Sequence, residues 1–192
     1  MQTPPIHDAC SIILWKKTAR GSAVLMGQRG AGASFMPHKF VFPGGRLDDT
    51  DHDAPFQSLD AQCQRRLGPQ AGALIRCGLR ELTEETGLEL DRAQDLRFVF
   101  RAITPPRRSR RFDARFLMGP ASALRQTAQP LPPDGELSHL TWVPLAEARR
   151  LDLPFVTELV LAEVAALLTG TPQDGVPFFE TRGPRARFER IL

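Results

Sequence analysis

The segment Gly78-Leu-Arg-Glu-Leu-Thr-Glu-Glu-Thr-Gly-Leu88 constrains this chain more than any other stretch. It sets Glu81, Glu84 and Glu85 at i, i+3 and i+4, which places three carboxylates on one side of a helix. Like charges at that spacing repel one another in water. Such a cluster has two readings. One is a solvated acidic helix face. The other is a set of hard oxygen donors for Mg²⁺ or Mn²⁺, cations that are commonly shared with substrate phosphates. Ile75, Leu79, Leu82 and Thr86 follow i, i+4, i+7 and i+11, so the pattern predicts a buried apolar flank with the carboxylates facing outward. Gly87 supplies the helix stop.

Arg80-Glu81-Leu82-x-Glu84-Glu85-x-Gly87-Leu88 resembles the second half of the Nudix box, G-x5-E-x7-R-E-U-x-E-E-x-G-U, in which U is apolar. The first half is similar to Phe42-Pro43-Gly44-Gly45 followed, after five residues, by Asp51. Two departures stand out. Asp51 occupies the place of a glutamate, and 28 residues, His52 to Leu79, replace the seven of the box. An interrupted box of this kind resembles the subgroup of peroxisomal-type coenzyme A diphosphatases and related bacterial proteins. The likeness extends through Ile103-Thr-Pro-Pro106, Arg111 to Phe116 and Glu136 to Pro144, and runs from about Ala9 to Leu168.

The resemblance implies an α/β/α sandwich with a mixed sheet. Spacing alone gives only mixed α and β. The resemblance also implies a metal-dependent hydrolase that cleaves a nucleoside diphosphate linked to another moiety, with coenzyme A or an acyl derivative as the first choice. ADP-ribose, dinucleoside polyphosphates and oxidised nucleotides are the other substrate classes. A catalytically silent module that senses a nucleotide is the reading from a different class, although such a module is expected to lose the glutamates retained here.

The expected metal site consists of Glu84 and Glu85, with Glu81 as either a third ligand or the proton acceptor for the attacking water, and with the Gly44 carbonyl at the Pro-Gly-Gly turn. The missing side chain at Gly44 permits close approach. Arg80 is expected to orient the glutamates through an ion pair, with Asp51 as its partner across the interruption. Glu136, in Asp134-Gly-Glu136, is either a turn residue or, as the resemblance implies, a further carboxylate of the site. Arg29 aligns with a position in the coenzyme A signature. That signature is matched only in part, because its Leu-Arg pair is absent and Phe35-Met36 lies in the same region.

Charge distribution adds one candidate element. Arg101, Arg107, Arg108, Arg110, Arg111 and Arg115 crowd a single segment. Guanidinium groups suit bidentate phosphate binding, so Arg108 and Arg111 are expected to hold substrate phosphate unless the segment is a plain solvated loop. Only Phe112 and Phe116 interleave with these arginines and no nucleic-acid-binding motif appears, which argues against nucleic acid as partner. The expected partner is a small nucleotide, and a homodimer is compatible with the sequence.

A chain of 192 residues with 42% hydrophobic and 24% charged residues is expected to form one globular domain with its own core. No apolar run approaches the roughly 20 residues that span a bilayer. The N-terminal residues lack a signal-peptide pattern and the last three are not a peroxisomal address. Cys10, Cys63 and Cys77 show no metal spacing and read as reduced packing residues, so a cytoplasmic location is expected.

Strands are expected at Cys10 to Lys16, Ser22 to Gln28, Phe40 to Phe42, Leu96 to Ile103, Phe112 to Met118 and Glu136 to Val143, with an edge strand at Val176 to Glu180. Helices are expected within Ala54 to Leu67, at Gln70 to Thr86, and at Pro144 to Arg150 and Pro154 to Leu168, the last two with proline at N1. Residues 52–72 are expected to form an insertion inside the box, punctuated by Pro55, Gly68 and Pro69.

Overall fold

A computed structural model describes residues 4–33, 35–52, 59–126, 136–182 and 185–192. The strands are β1 (Ile6–Thr18), β2 (Gly21–Arg29), β3 (Phe40–Val41), β4 (Gly44–Arg46), β5 (Arg97–Ile103), β6 (Arg111–Pro120), β7 (Leu137–Pro144), β8 (Val176–Arg182) and β9 (Arg185–Ile191). The helices are α1 (Ala61–Leu67), α2 (Ala71–Thr86), α3 (Leu145–Ala148) and α4 (Phe155–Leu168).

All the strands join one mixed sheet, ordered β3-β2-β1-β6-β5-β8-β9, with β4 added to β1 and β7 to β2. The β1–β6 and β5–β8 pairs are parallel and the others antiparallel. One face packs on α1 and α2 through Ile12, Leu14, Leu74, Ile75, Leu82, Phe98 and Leu117. The other packs on α4 through Ile13, Val24, Met26, Val99, Phe100, Val160 and Val164. Alternation along β1 assigns Ile12 and Ile13 to opposite faces. A register shift between Phe98 and Phe100 sends those two phenylalanines to opposite faces although they are two residues apart. The result is the α/β/α sandwich expected from the box.

The site lies where β1 and β2 part. They pair only over Trp15–Thr18 and Gly21–Val24. Beyond that, β1 pairs with β4 through Ala9–Ser11, while β2 pairs with β3 through Gly27 and Gln28. The chain from Phe40 to Arg46 thereby fills the fork, pinned by the Ile12 N–H donating to the Pro43 carbonyl at 2.9 Å.

Several local expectations change. Pro-Gly-Gly is not a free turn, because Gly44 and Gly45 enter β4 and pair with Ser11 and Cys10. Val176–Arg182 is not the sheet edge, because β9 pairs along its outer side. Strand β9, with arginine at three of its seven positions, was not expected, although charged and apolar residues alternate from Arg185 to Glu189. Pro144 and Pro154 are N-caps rather than first helical residues; both have extended backbone, with ψ of 132° and 143°. Within the interval 52–72, residues 53–58 lie outside the described residues. Asp60 caps α1 by accepting from the backbone N–H of Gln62 and of Cys63, and α2 already begins at Ala71.

Candidate active site

Helix α2 runs to Thr86 and stops at Gly87, whose left-handed backbone (φ 70°) lets its N–H donate to the Thr83 carbonyl at 2.8 Å. The helix lies against β1 at Gly78. A Cβ there would come within 2.8 Å of Ile12 Cδ1 and 2.9 Å of Cys10 Sγ. This close approach carries the last two turns of α2 to the fork.

The carboxylates do not all face outward. Glu84 does, with a side chain 59% exposed, but Glu81 is half-buried and Glu85 is 5% exposed. The Gly44 N–H donates to Glu85 Oε2 at 2.8 Å. Even so, burial pushes the Glu85 carboxyl up from 4.5 to about 8, with Glu81 and Glu136 adding repulsion. Burial likewise raises Glu81, against the pull of Arg80.

Arg80 is the hub of the acidic cluster. Its Nε and Nη2 donate to the two oxygens of Asp51 at 3.1 and 3.0 Å. Its Nη1 donates to Glu81 Oε1 at 2.8 Å and Glu84 Oε2 at 3.0 Å, and Nη2 also reaches the Arg46 carbonyl. Asp51 is 3% exposed, so the expected partnership across the interruption is present and buried. The Asp51 carboxylate raises the Arg80 guanidinium further above its ordinary range.

The two glycines of Pro-Gly-Gly do different work. A Cβ on Gly44 would meet Cys10 O at 2.5 Å and Ser11 Cα at 2.6 Å, so this glycine lets β4 lie close to β1. Gly44 meets the acidic cluster through its N–H, which donates to Glu85 Oε2. A Cβ on Gly45 would lie 2.3 Å from Glu81 Oε1 and Cδ. Gly45 therefore makes room for a carboxylate, a role that the motif alone does not reveal.

A cleft of about 630 Å³ opens beside this cluster, and its walls include Glu81, Glu136, Arg29, Gly44 and Gly45. Arg29 and Glu136, 107 residues apart, are joined by an ion pair of 2.8 Å. Arg29 Nε is buried without a partner among the described residues.

The basic segment divides. Arg101 is bound by Asp113 in a two-pronged pair of 2.8 and 2.6 Å, and Arg115 is bound by Asp8 and Asp113. These two are structural. Arg110 and Arg111 reach the cleft wall, and Arg111 Nε donates to the Thr104 carbonyl at 3.1 Å. Arg108 is exposed and not part of that wall. Phe35 and Phe112 also line the cleft, packed edge to face with centroids 5.4 Å apart. Phe112 was visible in the sequence only as an aromatic among arginines, and its pairing with Phe35 was not.

As the side chains stand, no group of three or more His, Cys, Asp or Glu among the described residues is arranged to hold a metal ion. Arg80 and the Gly44 N–H occupy the carboxylate oxygens instead. The donor set nevertheless suits a hard cation. Glu81, Glu84, Glu85 and Glu136 could supply oxygen ligands, and a cation beside Glu81 and Glu85 would offset the burial that raises both carboxyls. The three cysteines are buried and free; burial raises Cys10 and pushes Cys77 to about 12, in keeping with packing rather than reactivity.

A family model described as the NUDIX domain matches residues 5–164. A Caenorhabditis elegans protein provisionally named nudix hydrolase 7 is 58% identical over 82 residues, which is 43% of this chain and 22% of the length of that protein. A NUDIX hydrolase of Alicyclobacillus acidocaldarius superposes with a TM-score of 0.66 at 22% identity, covering 90% of this chain and 96% of the other. The NUDIX domain of Shewanella oneidensis NrtR, complexed with ADP ribose, superposes at 0.55 with 17% identity, covering 85% and 89%. At these identities the structural likeness concerns the fold.

Proposed function

The chain belongs to the Nudix family, and on that premise we propose that its cleft hydrolyses the pyrophosphate of a nucleoside diphosphate linked to another moiety. The observation that carries this reading is the gathering of Glu81 and Glu136 with Gly44 and Gly45 at one cleft, with Glu85 buried behind them on the Gly44 N–H and Arg80 holding Glu81 and Glu84.

Glu84 and Glu85, with Glu81 beside them, would hold Mg²⁺ or Mn²⁺. A bound divalent ion neutralises phosphoryl oxygens and lowers the pKa of water. The residues of the chain do the rest. Water adds to one phosphorus, the bridging oxygen leaves with its electron pair, and the Glu81 carboxylate accepts the proton. Glu81 suits that task because it faces the cleft and burial raises its affinity for a proton. Arg29 tethers Glu136 at the cleft wall.

The finer reading is coenzyme A or an acyl derivative, cleaved to 3′,5′-ADP and phosphopantetheine. Arg110 and Arg111 on the cleft wall supply charge for a phosphate beyond the pyrophosphate, and the Phe35–Phe112 pair supplies an aromatic surface beside them. A metal-supplemented hydrolysis screen over coenzyme A, dephospho-coenzyme A, ADP-ribose and dinucleoside polyphosphates tests both levels. Glu84→Gln or Glu85→Gln should lower turnover by several orders of magnitude; near-wild-type turnover in both would sink the hydrolase reading. Tight nucleotide binding without turnover would favour the sensing module instead. Arg111→Ala should raise KM for coenzyme A about tenfold while sparing dephospho-coenzyme A, since a charge-assisted phosphate contact is worth ~1.5–3 kcal/mol. Equal losses on both substrates would remove the 3′-phosphate reading.

A further inference from the structure

Strand β9 lies at one end of the sheet, and among the described residues nothing pairs with the edge it turns away from β8. A seven-residue free edge is a template for another strand. It lies beyond the stretch matched by the family model, which ends at residue 164. Beside it is an exposed aromatic patch: Phe188 is 57% exposed and Phe155 61% exposed, each packed edge to face with its neighbours, Phe188 on Phe100 and Phe155 on Phe179. Phe188 also leans on Phe179, with centroids 6.5 Å apart.

We propose that β9 is a homodimer interface in which the strand pairs antiparallel with β9 of a second copy, centred on Phe188.

The sequence of the strand selects both partner and register. A two-fold axis perpendicular to the sheet keeps each face on its own side. Opposed residues must then come from the same face of the pleat, so only alternate registers are open. In the register centred on Phe188, Phe188 meets its own copy, Arg187 opposes Glu189 of the partner and Glu189 opposes Arg187 of the partner. The two-fold axis thus makes the charge pair reciprocal. In the neighbouring register centred on Arg187, arginine opposes arginine. In the one centred on Glu189, glutamate opposes glutamate and Phe188 meets Arg190. Opposite charges and aromatic pairs stabilise directly opposed positions, and like charges destabilise them. Both charged side chains are available, since Arg187 and Glu189 are about half exposed where they pair within the strand. Arg187 also lies 3.6 Å from the buried Glu180 of β8, which fixes the face it occupies.

The test is sedimentation velocity across a concentration series on the full chain. Wild type should form a dimer. R187E and E189R each place like charges opposite one another twice, so each should raise the dimer dissociation constant at least about tenfold. Mixing equal amounts of R187E and E189R puts acid opposite base in both reciprocal pairs and should restore a dimer containing one copy of each. A far-UV spectrum and melting temperature for each variant show whether the hairpin survives, and Phe188→Arg provides a second disruption that leaves the charge pair intact. A wild type that stays monomeric at every concentration overturns the proposal. So does a dimer unmoved by R187E and by Phe188→Arg, or failure of the mixture to associate when both single variants are folded and monomeric.

Discussion

Gly44→Ala and Gly45→Ala should separate fold from chemistry although they change adjacent residues. A methyl at Gly45 would lie 2.3 Å from the Glu81 carboxylate, the far end of a flexible side chain. The carboxylate must retreat by roughly 1 Å to reach ordinary contact, and misplacement on that scale costs on the order of 10²-fold in rate. Stability should fall by about 1 kcal/mol at most, because the loss is confined to the Arg80–Glu81 contact and no backbone has to move. A methyl at Gly44 would meet the backbone of β1 at 2.5 and 2.6 Å. Two paired strands must then separate, at a cost of about 1–3 kcal/mol. Urea unfolding beside steady-state hydrolysis reads both quantities. Gly45→Ala should be crippled but folded, whereas Gly44→Ala should be measurably unfolded by less urea. Full turnover in Gly45→Ala would show that the position of Glu81 does not matter to the reaction. A larger stability loss in Gly45→Ala than in Gly44→Ala would refute the steric assignment itself.

Asp51→Asn removes the buried partner of Arg80 and should cost about 2–4 kcal/mol in urea unfolding; a change within error would make the pair dispensable. In metal-free buffer, Glu85 holds its proton in the folded chain up to about pH 8 but in the unfolded chain only to about 4.5. Its contribution is therefore fully present below about pH 4.5 and lost as pH rises through about 8, in total of order 3–5 kcal/mol. Glu85→Gln should flatten that fall in melting temperature between pH 5 and 9, and an unchanged slope would contradict the burial argument. Arg29→Met and Glu136→Gln should each lower kcat/KM, and the double variant should be little worse than the worse single one, because the two side chains act as a bonded pair. Strict additivity in that cycle would mean that they work independently.

The local signals that survived folding were those with a steric cause. Gly87 ended α2 because its left-handed backbone favours glycine, and the apolar stripe from Ile75 to Thr86 found the sheet because helical period fixes which side is buried. The Asp51–Arg80 pair was also legible, since the box marks both positions. What the sequence hid was contact between distant segments. Glu85 is buried because β4 closes over it, which helical periodicity cannot report. The Arg29–Glu136 and Phe35–Phe112 pairs each join residues far apart in sequence. The basic segment misled for a related reason: the arginines separate by the partners that folding brings to them, Arg101 and Arg115 beside Asp113 within the paired strands β5 and β6, Arg110 and Arg111 at the cleft wall where β6 begins.

The interrupted box raises a physical question of how its halves stay in register when 28 residues replace seven. Strand β1 answers it. Ser11 and Cys10 pair with Gly44 and Gly45, while the side chains of Cys10 and Ile12 receive α2 at Gly78. Three consecutive residues of one strand therefore locate both halves, and the buried Asp51–Arg80 pair closes the interval from its two ends. A fourfold longer connection costs only about 1.2 kcal/mol in loop closure, at ~0.6 per doubling. Burial of Leu67 in α1 against the core offsets that, since one buried leucine is worth ~1.5–3 kcal/mol. The geometry of the box thus depends on its anchoring to β1 and not on contiguity. The chemistry can then survive any insertion that leaves Gly45, Glu81 and Glu85 where β1 and α2 set them.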